Sequence, residues 1–130
     1  MIDRATRDWN TLGETEPFFA VLTDDRFLRE RMSDADREAF FGYGEADIAQ
    51  IFELIDFAPK SALDFGCGVG RLTRALARRV DRIAGVDAAA SLLRLAREHV
   101  PDAHVPTTMP HGASQPIPPV PPLRHPPLRR

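Results

Sequence analysis

The chain has one cysteine and no long apolar run, and these two scarcities exclude several classes of protein. Cys67 alone cannot form an internal disulfide, which excludes a cross-linked fold and fits a reducing compartment. No stretch approaches the roughly 20 apolar residues of a membrane span. The charged opening MIDRATRDWN also lacks the apolar core of a signal peptide. We therefore expect a soluble, cytoplasmic protein with no membrane partner.

Proline is scarce in the first hundred residues and abundant afterwards. Ten of the twelve prolines lie from Pro101 onward. Such a density removes backbone donors and favours polyproline II over helix or sheet. The composition therefore predicts a folded part over residues 1–100 and a disordered Pro- and Arg-rich tail over residues 101–130.

Negative charge is concentrated in the first half of the chain. Residues 1–56 carry fourteen acidic and six basic side chains, whereas residues 57–100 carry four acidic and eight basic ones. An acidic N-terminal half offers no basic surface for phosphates, so we expect no nucleic-acid partner.

Helical patterns dominate the segment before residue 58. Ser33 and Asp36 have the spacing of a capping box, which predicts a short helix that ends near Gly42. The next segment, EADIAQIFELIDF, is predicted to be a second helix that Pro59 ends. Its apolar stripe at helical spacing consists of Ile48, Ile51, Phe52 and Ile55. Residues 1–57 are thus predicted to form a helical N-terminal cap.

From residue 61 onward, strand patterns alternate with helix patterns. SALDF is short, apolar and followed by glycine, which predicts a buried strand, and RIAGVD has the same character. RLTRALARRV and SLLRLAREHV have apolar residues at helical spacing. The order strand, helix, strand, helix predicts an α/β fold, the beginning of a parallel sheet with right-handed crossovers.

The loop after the first predicted strand contains Gly66, Gly68 and Gly70, and Asp64 lies two residues before the first of them. Glycines at this place let the backbone turn sharply and let a ligand approach the main chain. A dinucleotide fingerprint would need a small residue where this chain has Arg71. The Asp64 carboxylate would repel a pyrophosphate but suits an ammonium or sulfonium ligand; alternatively, it only caps the turn.

Asp87 ends the second predicted strand, seventeen residues after Gly70. A carboxylate at this strand end lies beside the glycine loop and can accept hydrogen bonds from both hydroxyls of a ribose. An isolated aspartate here would indicate a turn or an N-cap. Together with the loop, it favours a nucleoside site.

These two stretches resemble the class I S-adenosylmethionine-dependent methyltransferases. LDFGCGVGRLTRALA resembles their first motif, an acidic-x-G-x-G-x-G loop, and GVDAAASLLRLAREH resembles their second. The resemblance covers about residues 61–100. It implies that residues 58–100 supply the first two parallel strands of a Rossmann-like doubly wound sheet, that the cofactor is S-adenosyl-L-methionine, and that the methyl acceptor is a small molecule. The implied cofactor-binding residues are Asp64, Gly66, Cys67, Gly68, Gly70, Arg71, Asp87 and Ala88.

The same resemblance implies a role for several of these residues. Asp64 and Gly66 would lie near the methionine amino group, and Asp87 would hold the ribose hydroxyls. Cys67 would contribute mainly its backbone. Arg71 would either guide the methionine carboxylate or cap the helix towards solvent. No catalytic residue and no metal ligand is assigned.

The resemblance ends after Val100. AHVPT hints at a third strand that Pro106 interrupts, and the later residues are too rich in proline for strands. We therefore expect an incomplete domain, truncated or frameshifted after about residue 100, without an acceptor site. Such a product would be marginally folded or oligomeric and would transfer no methyl group.

Two other functions stay open at this point. A nucleotide-binding reductase fragment of the NAD type would share the glycine loop, although Arg71 disfavours it. A non-catalytic interaction protein would use the tail, where Pro119, Pro122 and Arg124 have the spacing of an SH3 ligand. Because short proline motifs recur by chance in such a composition, no SH3-like partner is expected.

Overall fold

The predicted alternation of strands and helices from residue 61 is present in the computed structural model, which describes residues 3–107 and 119–124. In chain order the elements are α1 (Arg4–Thr15), α2 (Pro17–Val21), a short 3-10 helix (Asp25–Phe27), α3 (Asp34–Leu54), β1 (Ser61–Phe65), α4 (Arg71–Ala77), β2 (Arg82–Val86) and α5 (Ala90–His99). Within these ranges no helix is long and apolar enough to cross a membrane.

β1 and β2 form the predicted parallel pair, with Phe65 opposite Val86 at the carboxyl end. A later segment joins the other edge of β2 through a single bridge. There the amide of His104 donates to the carbonyl of Ile83, and the amide of Gly85 donates to the carbonyl of His104, both at 3.0 Å. The hint of a third strand in AHVPT therefore corresponds to one bridge beside β2.

β2 is buried, whereas β1 is exposed, so the prediction that SALDF is a buried strand is wrong. The side chains of Leu63 and Phe65 are 49% and 77% exposed, while Ile83 and Val86 are almost completely buried. In the described part of the chain, the sheet ends at β1 and no strand covers its outer edge. Exposed apolar strand edges favour self-association. The expected oligomer or aggregate therefore stays a prediction that this edge supports.

α3 is one continuous helix of 21 residues, whereas the sequence predicts two helices separated at Gly42. The predicted capping box is confirmed, because Ser33 and Asp36 make both of its hydrogen bonds. Gly44, two residues after Gly42, packs directly against α4. A Cβ atom on Gly44 would lie only 2.7 Å from the carbonyl oxygen of Arg71. This glycine therefore allows close helix packing and does not end the helix.

The apolar stripe predicted for the second half of α3 is only partly buried. Ile48 is buried, Phe52 and Ile55 are half-buried, and Ile51 is exposed. The helix that packs on α3 is α4, which has only seven residues. At 1.5 Å per residue, α4 spans about 10 Å of a helix about 30 Å long. The C-terminal half of α3 thus extends beyond its partner.

A cluster of phenylalanines attaches the N-terminal helices to the α/β part. Phe18, Phe27, Phe40 and Phe41 are buried and pack edge to face, with ring centroids 4.8 to 6.3 Å apart. The ring of His99, in the last turn of α5, packs edge-on against two of these phenylalanines. The predicted N-terminal cap is therefore joined to α5 by aromatic packing.

Two segments of the predicted tail make defined contacts. Val105 is buried beside α5. Further along, the amide of Leu123 donates to the carbonyl of Asp81 at 2.8 Å, and Arg124 lies 3.8 Å from Asp102. Residues 108–118 and 125–130 lie outside the described residues, so the disorder of the tail stays a prediction.

The two glycines of α3 provide a matched test of helix packing. Gly44→Ala should lower the free energy of unfolding by about 1 to 3 kcal/mol, because its methyl group overlaps the backbone of α4. Gly42→Ala should raise it by about 0.5 to 1 kcal/mol, since nothing lies within 4 Å and alanine favours the helix. Urea denaturation of both variants measures the difference. Shifts in the same direction would contradict this packing.

His99 should make stability depend on pH. Its Nδ1 donates to the carbonyl of Val69 at 2.7 Å, and burial lowers the pKa of the imidazole despite this bond. The unfolded chain therefore takes up a proton first as the pH falls below the ordinary histidine pKa of about 6.5. We expect the free energy of unfolding to decrease below that pH in urea titrations. His99→Gln should flatten this dependence, and an unchanged slope would disprove the assignment.

Candidate functional site

The loop between β1 and α4 requires glycine at three alternate positions. Gly66, Gly68 and Gly70 have φ angles of +76°, +54° and +89°, a conformation that strains residues with a side chain. The amides of Gly66 and Cys67 donate to the carbonyl of Val86 at 2.8 and 2.9 Å. The amide of Gly70 donates to the carbonyl of Cys67 at 2.9 Å. The loop is thus folded back onto the end of β2.

Asp87 connects this loop to the loop that follows β2. Its Oδ2 accepts a hydrogen bond from the amide of Gly68, and its Oδ1 accepts one from the amide of Ala89, both at 2.9 Å. The glycine loop and Asp87, which the sequence predicts to be neighbours, are therefore in direct contact. A carboxylate offers about four lone-pair positions, so Asp87 keeps capacity for further donors.

Asp64 faces α4 and lies close to Cys67. Its Oδ2 accepts a hydrogen bond from the hydroxyl of Thr73 at 2.7 Å, and burial raises the pKa of the carboxyl group. Burial, together with the charges of Asp64 and Asp87, raises the pKa of Cys67 to about 12. The thiol is therefore protonated and unreactive, which fits a contribution through the backbone alone. Within the described ranges, no group of three or more acidic, histidine or cysteine side chains could hold a metal ion.

Arg71 faces α3, which neither sequence-based alternative anticipates. Its guanidinium forms an ion pair with Asp47 at 2.8 Å, and its side chain is only 13% exposed. The glycine opposite, Gly44, leaves room for this arrangement. Arg71 therefore joins α3 to α4 in this structure.

A cavity of about 400 Å³ opens beside the glycine loop, at the carboxyl ends of both strands. It is lined by Trp9, Ala20, Val21, Phe65, Gly66, Gly68, Val86, Asp87, Ala88 and Leu92. Ligands of open parallel sheets bind at this end of the strands. Of the predicted site residues, Gly66, Gly68, Asp87 and Ala88 line the cavity. Asp64, Cys67, Gly70 and Arg71 are not among the residues that line the cavity.

Several lining residues are not predicted by the sequence. Trp9 comes from α1, Ala20 and Val21 come from α2, and Leu92 comes from the first turn of α5. The signal for Trp9 is its position as the lone tryptophan of the chain in a largely polar helix. Phe65 stands between Asp64 and the first glycine, and it lines the cavity while its side chain is largely exposed.

Comparisons with known proteins agree with this geometry. The family model described as a methyltransferase domain matches residues 62–121 and so continues beyond Val100. The fold is similar to that of Haemonchus contortus phosphoethanolamine N-methyltransferase 1, solved with phosphoethanolamine and S-adenosylhomocysteine, at a TM-score of 0.53 and 18% identity. That match covers 81% of this chain and 21% of the other, so the chain spans about a fifth of its length. No curated protein sequence matches the chain.

The family model and the shared fold agree on the same region. The glycine loop, Asp87 and all but the first residue of the parallel strand pair fall within residues 62–121, where the family model matches. The similar structure has the same Rossmann-like arrangement. Over residues 62–121 the chain is thus similar to a methyltransferase domain, and its described fold is similar to that of a solved methyltransferase.

Proposed function

We propose that the cavity beside the glycine loop binds S-adenosyl-L-methionine, as the cofactor-binding part of a methyltransferase for a small-molecule acceptor. The observation that carries this proposal is the contact between Asp87 and Gly68 at the wall of the cavity. It combines an acceptor for ribose hydroxyls with a loop that lets a ligand approach its main chain.

The space beside the loop fits a ligand. Gly66 lines the cavity, and a Cβ atom built there would meet no atom within 4 Å. At Gly68, by contrast, a Cβ atom would lie 2.9 Å from the side chain of Val21 in α2. We infer that the cofactor approaches the loop at Gly66, while Gly68 allows α2 to close over the loop.

The charges at the site favour a cation over a pyrophosphate. The amides of Gly66, Cys67, Gly68 and Gly70 all donate to acceptors within the protein. A pyrophosphate needs such donors free. Asp87 places a carboxylate at the cavity, and Asp64 adds a second one near the end of β1. This arrangement supports a ligand with ammonium and sulfonium groups and disfavours the NAD-type alternative.

Bound S-adenosylmethionine supplies an electrophilic methyl group on a positively charged sulfur. The role we assign to the protein is orientation, with Asp87 holding the ribose hydroxyls and Ala88 lying beside the nucleoside. Asp64 acts through its charge and through Thr73, which it holds by a hydrogen bond. Holding two reactants in line supplies much of the rate in such a transfer.

A small-molecule acceptor is supported by the solved methyltransferase of similar fold, which binds phosphoethanolamine. The residues that would hold an acceptor in this chain are not assigned. The strands of the described sheet end at β1 on one edge and at the His104 bridge on the other. We infer that the 130 residues bind the cofactor but need further sheet strands to place an acceptor.

Asp87→Ala should weaken binding of S-adenosylhomocysteine at least tenfold. The loss of one charge-assisted hydrogen bond costs about 1.5 to 3 kcal/mol. Calorimetric titration measures the affinity, and circular dichroism checks that the variant remains folded. Asp81→Ala, at the opposite end of β2, is the matched control and should bind normally.

Two results would contradict this assignment. One is a folded Asp87→Ala protein with the affinity of the parent chain. The other is tighter binding of NAD than of S-adenosylhomocysteine by the unmodified chain, which would favour the reductase alternative.

The 130-residue chain should not convert S-adenosylmethionine to S-adenosylhomocysteine with phosphoethanolamine or other small amines as acceptors. The sheet that the structure describes has two strands, and we expect further strands to be needed to align an acceptor with the methyl group. Mass spectrometry of the cofactor after prolonged incubation measures conversion. Turnover above the rate without protein, abolished by Asp87→Ala, would show that the described strands suffice for transfer.

A further inference from the structure

Helix α1 places the only tryptophan of the chain at the cavity. Gly13 is the one buried residue of this helix, so most of its surface is exposed. Trp9 lines the cavity but remains 46% exposed. A large aromatic side chain in this position has apolar surface that a ligand can cover.

Polar contacts dock α1 on the first turn of α5. The hydroxyl of Ser91 donates to the carbonyl of Asn10 at 2.9 Å, and the amide of Ser91 donates to Oδ1 of Asn10 at 3.2 Å. One turn further along α1, a Cβ atom on Gly13 would overlap Ser91 Oγ and lie 3.0 Å from the side chain of Leu92. The two helices therefore approach closely at a defined point.

This docking determines which end of the cavity Trp9 covers. Residues four apart lie on the same face of a helix, so Trp9 and Gly13 both face α5. Ser91 and Leu92 follow Asp87 and Ala88 by only a few residues, and Leu92 also lines the cavity. Trp9 thus covers the Asp87 end of the cavity.

We propose that Trp9 is a cofactor-binding residue whose indole packs against the adenosine part of bound S-adenosylmethionine. The inference rests on the proposed function, in which Asp87 holds the ribose at the same end of the cavity. Indole and purine are both flat and polarisable, so they can stack with an offset. Through this side chain, α1 then contacts the cofactor directly as well as covering the cavity.

The lone tryptophan provides a direct measurement, because intrinsic tryptophan emission from this chain arises from position 9 alone. Titration of the full chain with S-adenosylhomocysteine should change the emission saturably, with the same Kd as calorimetry. Adenosine alone should produce the same change at higher concentration, and methionine should produce none. A change with methionine but not with adenosine would overturn the assignment to adenosine.

Three variants separate contact with the ligand from stability of the fold. Trp9→Ala should weaken S-adenosylhomocysteine about tenfold by calorimetry, whereas Trp9→Phe keeps an aromatic ring and should bind within about threefold of the parent. Leu12→Ala, in the same helix but outside the cavity lining, should bind normally. Circular dichroism checks that each variant folds.

The failure of this inference differs from the failure of the proposed function. In one outcome, calorimetry detects binding of S-adenosylhomocysteine, the emission stays constant and Trp9→Ala binds like the parent. The chain then binds the cofactor without contact to Trp9, so this inference is wrong and the proposed function stands. If the parent chain shows no binding in calorimetry, both proposals are wrong.

Discussion

The carboxylate of Asp87 is the contact on which the site depends, because it joins two loops that lie far apart in the chain. One oxygen holds the amide of Gly68 in the loop after β1, and the other holds the amide of Ala89 at the start of α5. The parallel pairing of β1 and β2 brings these loops to the same edge of the sheet. Without that pairing, the glycine loop would lack its acceptor and the cavity would lack its wall.

Ion pairs between the acidic first half of the chain and the basic second half form where α3 packs against α4. Arg71 pairs with Asp47, and Arg78 and Arg79 both pair with Glu45, at distances of 2.8 to 3.2 Å. Such partly exposed pairs contribute little stability individually. They pair Arg71 of α4 and the two arginines that directly follow this helix with carboxylates of α3, and not with the Asp87 carboxylate at the cavity.

Local patterns predict part of this structure well, since glycine spacing, capping and strand order depend on neighbours in sequence. The strand pair and the contact between Asp87 and the glycine loop follow from such patterns. Contacts between distant segments do not. Gly42 resembles a helix end in the sequence, the close approach of Gly44 to α4 requires α4 to be in place, and the exposure of Leu63 depends on which strands flank β1. Trp9 reaches the cavity only because Asn10 and Gly13, its near neighbours in α1, meet α5, a contact that no local spacing indicates.

The internal hydrogen bonds of the glycine loop affect the entropy of ligand binding. Four successive or nearly successive amides, those of Gly66, Cys67, Gly68 and Gly70, already have acceptors within the protein. The carbonyl of Val69 is held by His99 in the last turn of α5. A loop fixed in this way before a ligand arrives loses little further conformational freedom on binding. The preorganised loop thus leaves the ordering of the side chains over the cavity as the main conformational cost within the protein.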